Sequence, residues 1–120
     1  FTGFQSDAPA VMRALDVVVH ASTAPEPFGL VLTEAMASGR ALVSSAAGGS
    51  AEIVEPDVNA LVHTPGDPTS LAAAIERLVN DAALRERLGR AGRSHVAAHY
   101  DVHAFGERFV RVYEELADAR

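Results

Sequence analysis

Neither cysteine nor lysine occurs among the 120 residues. Without cysteine the chain forms no disulfide and no thiolate metal site, which fits a cytoplasmic setting. Without lysine, the basic side chains are ten scattered arginines against 16 acidic residues, a formal net charge of −6. That balance speaks against a nucleic-acid surface, so no nucleic-acid partner is expected. No apolar run approaches the ~20 residues of a membrane span, and no stretch has the layout of a signal peptide. Membrane association is expected only through sequence outside the chain.

What is present is a globular pattern. Hydrophobic residues make up 48% of the chain, too many for a disordered segment. The periodicity predicts strand 1–4, helix 8–15, strand 16–20, helix 28–38, strand 41–45, a short helix 50–55 and strand 59–63. Three helices follow, at about 68–79, 82–98 and 102–118. Alternation of β and α predicts an α/β fold with a parallel sheet, followed by a helical C-terminal tail.

The tail carries clear start signals. Asp67-Pro68 reads as a cap and a first helical position, with Leu71, Ile75, Leu78 and Val79 as one apolar stripe. Asp81 caps the next helix, whose apolar positions are Leu84, Leu88 and Ala91. Tyr100-Asp101 breaks the helical run, and Asp101 caps a last helix striped by Val102, Phe105, Phe109, Val112 and Leu116. That stripe packs either on the sheet or on a domain outside this chain. His95, His99 and His103 recur every four residues, but the break and the lack of a nearby carboxylate or thiol cluster favour exposed histidines over a metal set.

The stretch Glu26-Pro27-Phe28-Gly29-Leu30-Val31-Leu32-Thr33-Glu34-Ala35-Met36-Ala37-Ser38-Gly39 is the most informative. Pro27 suits a first helical position, because its ring presets φ and its missing N–H has no partner there. The residues after Gly29 form a helix apolar on most sides, as a largely buried helix must be. Eight positions apart on a continuous helix, Glu26 and Glu34 differ by roughly 12 Å along the axis and about 80° around it. They cannot share one ion or hydroxyl. They can hold the two ends of a long ligand whose middle lies over the helix N-terminus, where free N–H groups and the dipole favour phosphate. A nucleoside diphosphate sugar has that layout. On spacing alone the alternative stays open that Glu26 caps the helix and Glu34 is an edge charge.

This stretch resembles the E-x7-E signature of the group 1 (family 4) retaining glycosyltransferases of GT-B fold. The text around it is similar in the same order: Asp16-Val17-Val18-Val19-His20-Ala21-Ser22 before it, Ala41-Leu42-Val43-Ser44-Ser45 after it, then Gly48-Gly49-Ser50-Ala51-Glu52-Ile53-Val54, and Asn59-Ala60-Leu61-Val62 followed by Pro65-Gly66-Asp67-Pro68. The resemblance implies that Glu26 holds hydroxyls of the donor sugar. It implies that backbone amides of Phe28, Gly29 and Leu30 face that sugar and the distal phosphate, and that Glu34 takes the ribose. Phe4 and Gln5 fall, more loosely, where the family seats the base. Gly48 and Gly49 read as a tight turn. The family needs no bound metal and no cofactor beyond its nucleotide-sugar substrate.

Two departures accompany the resemblance. Gly39-Arg40-Ala41-Leu42 lacks the proline that commonly opens the next strand, and Arg40, past the buried helix, is expected to face solvent. The family's Arg and Lys that neutralise the donor diphosphate have no counterpart here. The chain opens on Phe1, and one domain's length is half of a GT-B enzyme. The expectation is a C-terminal portion of a nucleotide-sugar-binding domain spanning 1–120, a partial Rossmann-like sheet whose N-terminal acceptor domain lies elsewhere. In the strand order 3-2-1-4-5-6, strand 1–4 and strand 16–20 would flank a gap, leaving unpaired edges and poor stability.

The implied activity is transfer of a sugar to an acceptor hydroxyl of a glycan, lipid or small molecule with retained configuration, the isolated segment being inactive. A nucleotide-sugar-binding module without transfer, or another GT-B enzyme such as a phosphorylase or epimerase, stands beside it.

Overall fold

A computed structural model describes residues 1–119. In chain order the elements are α1 (Ala8–Ala14), β1 (Val17–His20), α2 (Leu30–Ala37), β2 (Ala41–Ser44), a 3-10 turn (Gly49–Glu52), β3 (Leu61–Val62), α3 (Pro68–Asn80), α4 (Ala82–His99) and α5 (Val102–Asp118). The strands form one parallel sheet in the order β1-β2-β3, with Val17 beside Ala41 and Val43 beside Leu61.

The central strand explains the layering. All four residues of β2 are buried, as a parallel strand covered on both faces must be. Its side chains alternate between the two faces. Leu42 enters one core with Leu32, Ala35 and Met36 of α2 and Val96 of α4. Ala41 and Val43 enter the other with Leu61, with Ala74 and Leu78 of α3, and with Leu88 of α4. The long α4 therefore supports both cores. Each fully buried leucine or methionine in them stabilises the fold by roughly 1.5–3 kcal/mol.

Aspartates start four of the five helices. Asp7 accepts from the amide of Ala10, Asp67 from Thr69 and Ser70, Asp81 from Leu84, and Asp101 from His103 and Ala104. Each bond satisfies an N–H that lacks an intrahelical partner. The helix break read at Tyr100-Asp101 is present, with Tyr100 ending α4 and Asp101 opening α5.

Several expectations are corrected. Residues 1–4 form no strand; Phe1 and Phe4 are exposed, with no sheet neighbour to bury them. The three strands are consequently contiguous and the sheet has no gap, although β1 pairs with β2 alone and its outer edge is open. Val79 lies off the α3 stripe and is exposed. Arg40 is half-buried, and its guanidinium donates to the carbonyl of Arg13 instead of facing solvent. His95 is also half-buried, 3.4 Å from Glu55, while His99 and His103 are exposed.

The α5 stripe does not pack on the sheet. No residue of α5 is buried, and Phe105, Phe109, Val112 and Leu116 are all exposed. At 1.5 Å per residue this helix is about 25 Å long, and its projection gives the molecule extents of 58 × 30 × 28 Å.

Candidate functional site

The first candidate carboxylate sits on a loop, not on a helix. Helix α2 begins at Leu30, so Pro27 lies outside it and Glu26 and Glu34 do not share one continuous helix. Gly29 is the N-cap residue, at φ 94° and ψ 62°. That left-handed conformation disfavours any side chain. A Cβ at Gly29 would also come 3.0 Å from a methyl carbon of Leu32. Gly29 therefore turns the chain sharply from the Glu26 loop into α2.

Alone among the five helices, α2 has no side chain capping its N-terminus. The Leu32 amide turns back to the Gly29 carbonyl at 2.9 Å, while the amides of Leu30 and Val31 have no intrahelical partner, and the positive end of the dipole points the same way. Leu30 and Val31 at this end are exposed. The end of α2 is thus open to an anionic group from solution.

The Glu26 loop is held by main chain. The Glu26 amide donates to the carbonyl of Ala47 at 3.1 Å, and its carbonyl accepts from the Gly49 amide at 2.7 Å. Glu26 and Gly48 form an isolated parallel bridge. The glycine pair permits this approach. A Cβ on Gly48 would lie 2.5 Å from the Glu26 carbonyl oxygen, and one on Gly49 would lie 2.0 Å from that of Pro27. Both contacts are impossible for a real side chain. The tight turn read from the sequence is present, and it also docks the loop that carries Glu26. The spacing of the two segments gives no sign of this, because they meet only in the fold.

Around Glu26 the side chains are polar and partly covered. His20, the last residue of β1, places Nε2 3.2 Å from Oε1 of Glu26. The two side chains are 13% and 32% exposed. Phe28 meets Tyr100 edge-on, ring centroids 5.8 Å apart, and the Tyr100 hydroxyl donates to the Glu52 carbonyl. Burial, and then the Glu52 carboxylate, push the Tyr100 hydroxyl above its ordinary pKa.

Glu34 occupies the exposed face of α2. It lines a cavity of about 290 Å3 with Pro9 and Arg13 of α1 and with Ala37, Ser38 and Arg93. Phe4 and Gln5 are exposed ahead of α1, and the Gln5 amide donates to the Thr2 carbonyl. The structure thus brings Glu26, Phe28, Gly29 and Leu30 together at one end of α2 and puts Glu34 a turn further along. No described hydrogen bond ties Phe4 or Gln5 to that group. His20 was not singled out from the sequence, because no spacing rule marks its contact with Glu26.

Residues 1–95 match the family described as Glycosyl transferases group 1. Among curated relatives, the lipopolysaccharide core biosynthesis glycosyltransferase LpsD of Rhizobium meliloti is 33% identical over 114 residues, covering 95% of this chain and 33% of that protein. The phosphatidyl-myo-inositol mannosyltransferase of Mycobacterium tuberculosis is 39% identical over 126 residues, covering 98% of this chain and 32% of that protein. Among solved structures, Anabaena Alr3699/HepE in complex with UDP superposes with a TM-score of 0.93 at 36% identity, over 96% of this chain and 32% of that one. The same protein has been solved in complex with UDP-glucose. The chain spans about a third of the length of these relatives.

Proposed function

This chain belongs to the group 1 glycosyl transferases, and from that premise we propose that it is the donor-binding part of a retaining enzyme of GT-B fold. The reaction moves a sugar from a nucleoside diphosphate to an acceptor hydroxyl on a glycan, lipid or small molecule. The observation that carries this reading is the uncapped N-terminus of α2 directly after the anchored Glu26 loop. The names of the relatives and the UDP and UDP-glucose complexes of HepE support it.

In this proposal Glu26 holds the sugar hydroxyls, and the amides of Phe28, Gly29 and Leu30 face the sugar and the distal phosphate. Glu34 takes the ribose diol with both oxygens, and Phe4 and Gln5 lie on the side of the base. As the bond from the anomeric carbon to the phosphate oxygen breaks, charge builds on the departing diphosphate. The fixed N–H groups and dipole of α2 stabilise that charge without reorganising. Holding the donor at both ends fixes the reacting carbon against the acceptor. No resident metal is required. In this reading the remaining neutralising Arg and Lys lie upstream of this segment, the acceptor site belongs to a separate domain, and the compartment is the cytoplasm.

The test separates the two acids in the intact protein. Glu34→Ala should weaken free nucleotide and nucleotide sugar alike, roughly 10- to 100-fold, the ~1.5–3 kcal/mol of a hydrogen bond to a charged group. Glu26→Ala should leave free nucleotide unchanged and impair transfer. Titration with UDP-, GDP- and ADP-sugars, with turnover measured alongside, reads both. Equal loss of nucleotide affinity in the two variants refutes the assignment. Binding without turnover in the intact wild type favours a binding module.

A further inference from the structure

We propose that His20 is a positioning residue for sugar transfer, orienting the Glu26 carboxylate through a hydrogen bond from its ring. The inference rests on the reading of Glu26 as the donor-sugar holder and adds a residue to it.

A carboxylate oxygen only accepts, so the contact of 3.2 Å between His20 Nε2 and Glu26 Oε1 puts the ring hydrogen on Nε2. The other ring nitrogen, Nδ1, is buried with no hydrogen-bond partner among the described residues. Glu26 is therefore the one polar anchor of the ring. The contact also assigns the two oxygens of Glu26. Oε1 is taken by His20, and Oε2, with no described partner, is left to accept from a hydroxyl. A carboxylate on a loop otherwise rotates about its side-chain bonds; here one oxygen is tied down and the other is aimed.

His20 is itself held rigidly. It ends β1 paired with Ser44 of the central strand. Its carbonyl lies 3.2 Å from Nε2 of His63, a side chain buried in the sheet end. Ser44 in turn accepts from the His63 amide at 3.0 Å. The ring thus projects from the paired end of β1 onto the loop that would touch substrate. A site held on strands is more exact than one held on loops alone, and misplacing a substrate-holding group by about an ångström costs on the order of a hundredfold in rate.

The experiment uses the intact protein and four variants. His20→Gln places an amide N–H near the position of Nε2; His20→Asn carries the same amide too short to reach Oε1. His20→Leu removes the donor at similar volume, and Glu26→Ala reports on the parent reading. The readouts are UDP, GDP and ADP affinity, turnover of the corresponding glucose and mannose donors, and melting temperature. The expected result for His20→Leu and His20→Asn is a loss of roughly 10- to 100-fold in kcat/KM, the size of one hydrogen bond to a charged group. Nucleotide affinity should stay within about twofold, and His20→Gln should recover most of the activity.

Wild-type turnover in His20→Asn and His20→Leu overturns the inference, as does a loss shared equally by nucleotide and nucleotide sugar that glutamine does not rescue. If His20→Leu does not fold, the Asn and Gln pair decides alone. If Glu26→Ala retains full turnover, the reading of Glu26 has failed, and the inference about His20 fails with it. Impaired Glu26→Ala beside unimpaired His20 variants sinks the inference alone.

Discussion

Replacing Gly49 by alanine perturbs this site without substituting any candidate binding residue. The new Cβ would lie 2.0 Å from the carbonyl oxygen of Pro27, 2.7 Å from its carbon and 3.2 Å from Cα of Phe28. All three are main-chain atoms, so no flexible side chain can swing aside. Relief requires the Pro27–Phe28 segment or the 3-10 turn to retreat by roughly an ångström or more, since carbon contacts settle near 3.5–4.0 Å. The 2.7 Å bond from the Gly49 amide to Glu26 is stretched by the same movement. Strain of this type costs about 1–3 kcal/mol of stability. If Glu26 and the start of α2 hold the donor as proposed, the shift carries them away from it, and a displacement of that size lowers kcat/KM on the order of a hundredfold. The assay is donor turnover by the intact protein together with thermal melting. Wild-type turnover and wild-type melting in Gly49→Ala would refute the claim that this glycine docks the Glu26 loop.

Three further variants test the fold around this site. Gly89→Ala should destabilise by about 1–3 kcal/mol, because a Cβ there would lie 2.3 Å from the Gly39 carbonyl oxygen where α4 meets the end of α2. Gly106→Ala in exposed α5 has nothing within 4 Å and should stabilise that helix by about 0.5–1 kcal/mol; melting curves of the two variants must move in opposite directions. For Tyr100, burial and the Glu52 carboxylate hold the hydroxyl above its ordinary pKa in the folded state, so the folded state keeps that proton after the unfolded chain has lost it. Stability from this source is complete below the usual tyrosine value near 10 and is lost as pH rises through the raised value. Denaturant melts across that range should show a shallower decline in Tyr100→Phe, and an identical decline contradicts the assignment.

Helix starts were legible because a cap is local. Asp67-Pro68, Asp81 and Asp101 each sit next to the amides they satisfy, so a few adjacent letters contain the whole interaction. The central strand was legible for a similar reason, since four apolar or small residues in a row suit a strand buried on both faces. Phe1 to Phe4 misled because strand propensity describes a residue in a sheet, and among the described residues these four pair with no strand. Pro27 misled because Gly29, two residues on, takes the turn into α2 by its positive φ.

The contacts that build the site were the least visible. Glu26 meets His20 six residues away, and meets Ala47, Gly48 and Gly49 more than twenty residues away. Neither pairing has a spacing rule. Asn59 belongs to the same class. Read as the start of a strand, it is buried, and its amide bonds the Ile53 carbonyl and the Glu55 amide. It thereby closes the bend that delivers β3 to the sheet.

The grip on the Glu26 loop is made of peptide groups, whose N–H and C=O every residue but proline supplies. Ala24, Pro25 and Pro27 can therefore be exchanged without loosening it, provided glycine stays at 48 and 49. Side chains along this loop can change one at a time while the main chain keeps Glu26 in place.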